Sequence, residues 1–208
     1  MELGHLAALT LLSVWENPSL VGRIPTQVGA LTALTLLSFT MDQLSGPVPS
    51  ELGYLTSLEG LYLGGNQLTT TIPTELKAMT SLSLLYLWGN QMSGTFPTEL
   101  ESLLALTDLQ VSTNRLTGTL PTQLGKLSAL SRLWLSANIF TGTIPSQLGA
   151  LTNLQSLQLQ NNQLTGTVSS STSVCDLPSL EGFSDGEKRI QIDCDLVHCG
   201  CPDMCECK

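Results

Sequence analysis

The sequence predicts an α/β repeat fold, a right-handed solenoid with a parallel sheet on its concave side and short 3-10 or helical turns on its convex side. Three observations predict it. Six prolines, Pro25, Pro49, Pro73, Pro97, Pro121 and Pro145, lie 24 residues apart, and a period in the twenties belongs to a chain that coils rather than one that packs around a single centre. The first leucine of each unit recurs with it, at Leu9, Leu34, Leu58, Leu82, Leu106, Leu130 and Leu154, which makes seven units. Inside each unit two leucines alternate with one outward residue, as in Leu61, Tyr62, Leu63. That is the period-2 pattern of a short strand with one face buried.

Each element of the unit has its own reason. The strand ends at an asparagine (Asn66, Asn90, Asn114, Asn138, Asn162) whose side chain can bond backbone groups of neighbouring coils and build a ladder. Position 42 carries the near-isostere Asp, and Asn17 falls one place early because Pro18-Ser19 holds an inserted residue. Glycine at 22, 46, 94, 118, 142 and 166 supplies a turn that a side chain would hinder, and Thr70 departs from it. After each proline a Thr or Ser stands where a helical turn takes its N-cap. Lys77 and Glu101 replace a second repeat glycine, and distortion is expected in the coils that carry these departures.

The run FTGTIPSQLGALTNL at 140–154, echoed by LTGTLPTQLGKLSAL at 116–130, resembles the plant-specific class of leucine-rich repeats. That class includes receptor-kinase ectodomains and polygalacturonase-inhibiting proteins. The likeness covers residues 1–168 and implies a concave face that binds proteins, peptides or glycans. The tail resembles that of secreted repeat proteins in some algae. No kinase signature is present: there is no glycine-rich phosphate loop, V-A-I-K, H-R-D or D-F-G.

Two segments are expected, the solenoid at 1–168 and a cysteine-rich cap at 169–208. All six cysteines, Cys175, Cys194, Cys199, Cys201, Cys205 and Cys207, lie in the second. An even number in a short tail predicts disulfides and an oxidising, extracellular or cell-surface location. The spacing C-x-C is tighter than that of common zinc sites, so a metal is the weaker reading. The chain carries a net charge of −9, which argues against a nucleic-acid partner, since phosphate binding needs basic stripes. No run approaches the ~18 apolar residues of a membrane helix. Met1 is followed by ELGHLAAL, a match to ELGYLTSL at 51–58. The sequence therefore opens inside a repeat, and a fragment without its N-terminal cap and secretion signal is expected.

Outward strand positions form three columns. The middle one reads Ser13, Ser38, Tyr62, Tyr86, Gln110, Trp134, Gln158. Flanking it are Leu11, Leu36, Gly60, Leu84, Asp108, Arg132, Ser156 and Trp15, Thr40, Gly64, Trp88, Ser112, Ser136, Gln160. All three tryptophans fall here, facing away from the core. Exposed aromatics either anchor a partner or merely cover a flat sheet. The candidate ligand-binding residues are Trp15, Tyr62, Tyr86, Trp88, Asp108, Arg132 and Trp134, with Asp108 and Arg132 either a surface ion pair or an orienting contact. A second expected feature is a stacked two-row hydroxyl array from Thr69/Thr71, Ser93/Thr95, Thr117/Thr119, Thr141/Thr143 and Thr165/Thr167. It fits either repeat consensus or an ice-binding plane. Glu51, Glu75 and Glu99 stack as solvated surface.

With only His5 and His198 in the chain, no acid–base or nucleophile constellation is evident. No cofactor, metal or enzymatic activity is expected. The function expected is recognition of a protein or peptide, or of a glycan. The alternatives are inhibition of a secreted wall-degrading enzyme and ice binding.

Overall fold

A computed structural model describes residues 6–168 and, beyond them, the backbone of strands Ile190–Ile192, Val197–Cys199 and Cys205–Cys207. Cys175, Cys194 and Cys201 lie outside the described residues. Only the backbone is described for Cys199, Cys205 and Cys207, so the expected disulfides lie outside them too.

The period-2 leucines form the expected strands. Leu11–Trp15, Leu36–Thr40, Gly60–Tyr62, Leu84–Tyr86, Asp108–Gln110, Arg132–Trp134 and Ser156–Gln158 pair side by side in one parallel sheet. Ile190–Ile192 and Cys205–Cys207 extend the sheet, with Gln158 opposite Gln191 and Gln191 opposite Glu206. I-Q-I and C-E-C thus take the register of L-x-L in the tail. On the other side of each coil a proline opens a five-residue 3-10 turn, from Thr26–Ala30 to Ser146–Ala150. Between the two layers lie the leucines: Leu58, Leu61, Leu63, Leu68 and Leu76 are fully buried. Each such side chain contributes about 1.5–3 kcal/mol of burial free energy. The first strand has a neighbour on one side only among the described residues, and Leu12 and Val14 there are only partly buried.

The asparagine ladder joins coil to coil. The Asn66 side-chain oxygen accepts the Leu44 N–H at 3.1 Å, and its amide donates to the carbonyls of Phe39 at 2.7 Å and Leu63 at 3.2 Å. Asn90, Asn114, Asn138 and Asn162 repeat this arrangement. The residue just before each ladder position is left-handed: Glu16, Met41, Gly65, Gly89, Thr113, Ala137 and Asn161 all have φ between 53° and 70°. Asp42 matches asparagine in shape but not in hydrogen bonding. Its Oδ1 accepts the Asn17 N–H at 2.8 Å, while Oδ2, standing where asparagine has donors, is buried without a partner.

One local expectation needs correction. The proline, not the Thr or Ser, is the N-cap of each turn, and no side chain caps it. Pro49 instead offers its carbonyl to the Leu52 N–H, and the Ser50 hydroxyl bonds the neighbouring Glu51 carboxylate. Thr70 at φ 69° takes the backbone shape that Gly94 and Gly118 take at 79° and 80°, but the lateral sheet is interrupted at its coil, where Gln67–Thr69 and Ser93–Thr95 belong to separate sheets. A β-branched residue is strained at that φ. On the convex side a Cβ on Gly29, Gly53 or Gly125 would lie 2.3–2.5 Å from the next coil's carbonyl oxygen. Lys77 and Glu101 preclude that approach. Glu101 instead reaches Lys126 on the adjacent turn at 2.9 Å, beside a narrow cleft lined by Phe96, Leu100, Leu124 and Leu127.

The threonine rows do not stack as columns. The lateral strands pair with an offset of 22 residues, Thr95 opposite Thr117 and Thr119 opposite Thr141, whereas the concave strands from Leu36–Thr40 to Ser156–Gln158 pair at 24, Tyr62 opposite Tyr86, and the first pair at 25. The ranks across the lateral sheet therefore run Thr95–Thr117–Ile139 and Thr119–Thr141–Gln163. Each loses threonine after two strands. The threonines have a packing role instead: a Cβ on Gly94, Gly118, Gly142 or Gly166 would meet the methyl of Thr71, Thr95, Thr119 or Thr143 at 2.7–3.0 Å. At the corresponding place before Thr70 stands Pro47.

Two stability changes follow. Asp42→Asn supplies the missing donors and should raise unfolding free energy in urea by about 1–3 kcal/mol. Thr70→Gly removes left-handed strain but frees the unfolded chain, leaving a net gain of about 1 kcal/mol in the same measurement.

Candidate functional site

The 24-residue register of the concave strands decides which outward side chains become neighbours. It sets Tyr62 beside Tyr86 and Asp108 beside Arg132, each pair on adjacent strands. Side chains also lean diagonally toward the next coil. The Tyr86 hydroxyl donates to Asp108 Oδ2 at 2.9 Å, and Trp134 Nε1 donates to Ser156 Oγ at 2.9 Å. Arg132 Nε pairs with the same Asp108 oxygen, and Gln110 Nε2 donates to Asp108 Oδ1 at 3.1 Å. The rings of Tyr62 and Tyr86 meet edge to face, 5.0 Å apart at 87°.

Asp108 is therefore no part of a surface ion pair. It is 1% exposed, and a carboxylate that far from water is stable only when paired and hydrogen-bonded. Three side chains meet that requirement. The Arg132 side chain, 43% exposed, keeps its outer nitrogens at the surface while Asp108 holds its inner one.

Two glycines complete the arrangement, and neither stands out as a site residue in the sequence alone. A Cβ on Gly60 would lie 2.7 Å from the Tyr62 ring, and one on Gly64 would lie 2.5 Å from the Trp88 indole. The rings occupy the space that those side chains would fill. Tyr62 and Trp88 consequently lie flat on the sheet, partly buried rather than projecting. The signal was present: Gly60 and Gly64 interrupt outward columns beside aromatics. Trp15 does not join them. It is 61% exposed at the end of the first strand, three strands from Trp88. The patch thus comprises Tyr62, Tyr86, Trp88, Asp108, Arg132 and Trp134, with Gln110 and Ser156 as supports.

Burial, the hydrogen bond to Asp108 and that carboxylate's charge push the Tyr86 phenol up to about 12 from an ordinary 10.0, with Arg132 opposing. Burial and, less strongly, the Asp108 charge also raise Tyr62.

The Leucine Rich Repeat family profile matches residues 57–79, 81–103, 129–151 and 153–175. No curated protein sequence matches the chain. Among solved structures the chain is similar to the ectodomain of the plant membrane receptor kinase GASSHO1/SCHENGEN3 from Arabidopsis thaliana, in complex with CASPARIAN STRIP INTEGRITY FACTOR 2. The TM-score is 0.83 at 38% identity, over 95% of this chain and 22% of that one. The plant peptide hormone receptor RGFR1, in complex with RGF2, gives 0.73 at 27% identity, over 98% and 36%. A plant ice-binding protein gives 0.59 at 24% identity, over 99% and 77%, and shares the fold alone. The chain spans about a fifth to a third of the receptor ectodomains it matches.

The folded protein keeps the Tyr86 proton between pH 10 and 12 where the unfolded chain loses it, so stability should fall as pH rises through that window. Absorbance at 295 nm should reveal a phenol titrating near 12, and Tyr86→Phe should abolish that component.

Proposed function

The chain is a plant-type leucine-rich-repeat protein, and from that premise we propose that its concave face recognises a peptide or an extended protein segment outside the cell. The observation that carries this reading is Asp108. Mere coverage of a sheet needs no carboxylate at 1% exposure, held from three sides beneath an aromatic surface. Such a network fixes Tyr86 and Arg132 in place before any ligand arrives, and rigid anchors lose less entropy on binding. Tyr, Trp and Arg are also the residue types that dominate binding hot spots. The similarity to ectodomains solved with their peptide ligands supports the same reading, as does their place on plant membrane receptors for an extracellular location. Among the described residues no helix is long and apolar enough to cross a membrane.

Inhibition of a secreted enzyme is the same recognition with a folded partner in place of a peptide. Ice binding needs a different face. The lateral threonines are exposed at Thr71, Thr95, Thr119 and Thr143, but the offset of their strands limits each rank to two of them.

The test compares the two faces using a purified partner first captured from secreted proteins. Trp88→Ala and Tyr86→Ala should each weaken its binding by ~2 kcal/mol or more without unfolding the protein. Lysine at positions 119 and 143 should leave binding unchanged. Ice shaping by the parent, lost in the lysine variants and kept in the alanine ones, would assign function to the lateral face instead.

A further inference from the structure

The geometry points to a particular ligand class for the concave patch: a proline-rich segment in the polyproline II conformation, running across the strands and carrying basic residues beyond the patch. This inference rests on the concave face being the recognition surface, and it adds what kind of chain that surface takes.

Spacing gives the first argument. Tyr86 and Trp134 occupy the same column two strands apart, with Gln110, 7% exposed, between them. Strands lie about 4.8 Å apart, so the two rings are about 9.6 Å apart along the solenoid. A polyproline II helix repeats every three residues with a rise of about 3.1 Å, or about 9.3 Å per turn. One face of such a helix therefore meets Tyr86 and Trp134 in phase. Tyr62 lies one strand before Tyr86, and the distance from Tyr62 to Trp134 corresponds to about five ligand residues.

Surface shape gives the second. Gly60 and Gly64 let Tyr62 and Trp88 lie flat. The Tyr62 and Tyr86 rings stand at 87° to one another, so the surface is an aromatic-lined groove rather than a level sheet, and proline-rich segments dock in grooves of this kind.

Hydrogen-bonding character and charge give the third. The Asp108 oxygens accept from Tyr86, Gln110 and Arg132 and are shut away from solvent. What the patch presents at its charged end is the outer nitrogens of Arg132, which are donors only. A polyproline II segment has no internal hydrogen bonds, and its proline residues offer carbonyl acceptors without N–H donors. Within the patch Asp108 cancels Arg132, whereas residues 1–174 carry nine acids against five bases. Uncharged prolines over the patch with lysines on either side match both.

The experiment titrates the full chain with a nonaproline flanked by two lysines at each end, following tryptophan fluorescence and calorimetry. A glycine–serine peptide with the same lysines and a soluble β-glucan hexasaccharide are compared. The proline peptide should bind at least about tenfold more tightly than the glycine–serine peptide. Trp134→Ala and Tyr86→Ala should each lower its affinity by roughly tenfold or more. Gly64→Ala, which forces the Trp88 ring off the sheet without deleting it, should also lower affinity, while Trp134→Phe retains most of it. Circular dichroism of each variant identifies any that fail to fold, and the phenylalanine and glycine variants then carry the comparison. Equal binding of the two peptides would mean that only the lysines are bound, and would overturn the inference. So would saturable binding of the hexasaccharide without binding of the proline peptide. If a captured partner depends on Trp88 and Tyr86 while the proline peptide does not bind, this inference fails and the concave recognition surface stands. If neither binds, both fail.

Discussion

Beyond the pairing of its strands and the shared leucine core, each asparagine-bearing coil is tied to the one before it by one side chain at the end of its strand. The asparagine oxygen takes an N–H from the preceding coil, and the asparagine amide gives its hydrogens to carbonyls in both coils. Backbone groups that turn away from a sheet and into a core must find partners, and where the described residues hold no long helix there are few other candidates. The ladder meets that demand once per coil and so fixes the length of the coil. The left-handed residue before each asparagine is part of the same constraint, since it aims the side chain inward. The fold tolerates Thr113 and Met41 there, which indicates that the ladder outweighs their local strain.

A fixed coil length has different consequences on different faces. On the concave face the strands pair at the repeat length, so repeat-equivalent residues become neighbours. On the lateral face they pair two residues short of it, so equivalent residues are displaced and non-equivalent positions meet. The same sequence regularity thus builds ordered columns on one side and sheared ranks on the other. That difference is why the aromatics gather into a patch while the threonines serve as packing for the next coil's glycine.

The patch illustrates how a polar group can be buried on the outer side of a sheet. Asp108 lies beneath its neighbours because Tyr86 and Arg132 lean across it from the strands on either side, and Gln110 closes it from its own strand. Mutual support of this kind strengthens hydrogen bonds in a low-dielectric setting. It also leaves Arg132 with one end anchored and one end free, and it holds the Tyr86 ring against Tyr62.

The sequence by itself determined the solenoid, its parallel concave sheet, the inward leucines and the columns to which Tyr62, Tyr86, Trp88, Asp108, Arg132 and Trp134 belong. These follow from periods of 2 and 24, and periodicity survives in a linear string. The tertiary structure alone decided that Asp108 is buried, that Gly60 and Gly64 seat two rings, that Trp15 stands apart and that the lateral strands slip by two residues. It also decided that Asp42, alike in shape to asparagine, leaves an oxygen unpartnered. Those facts depend on how far one coil is displaced against the next and on which way side chains lean across the gap. A displacement between coils is a property of their packing, and the order of residues along the chain does not encode it locally.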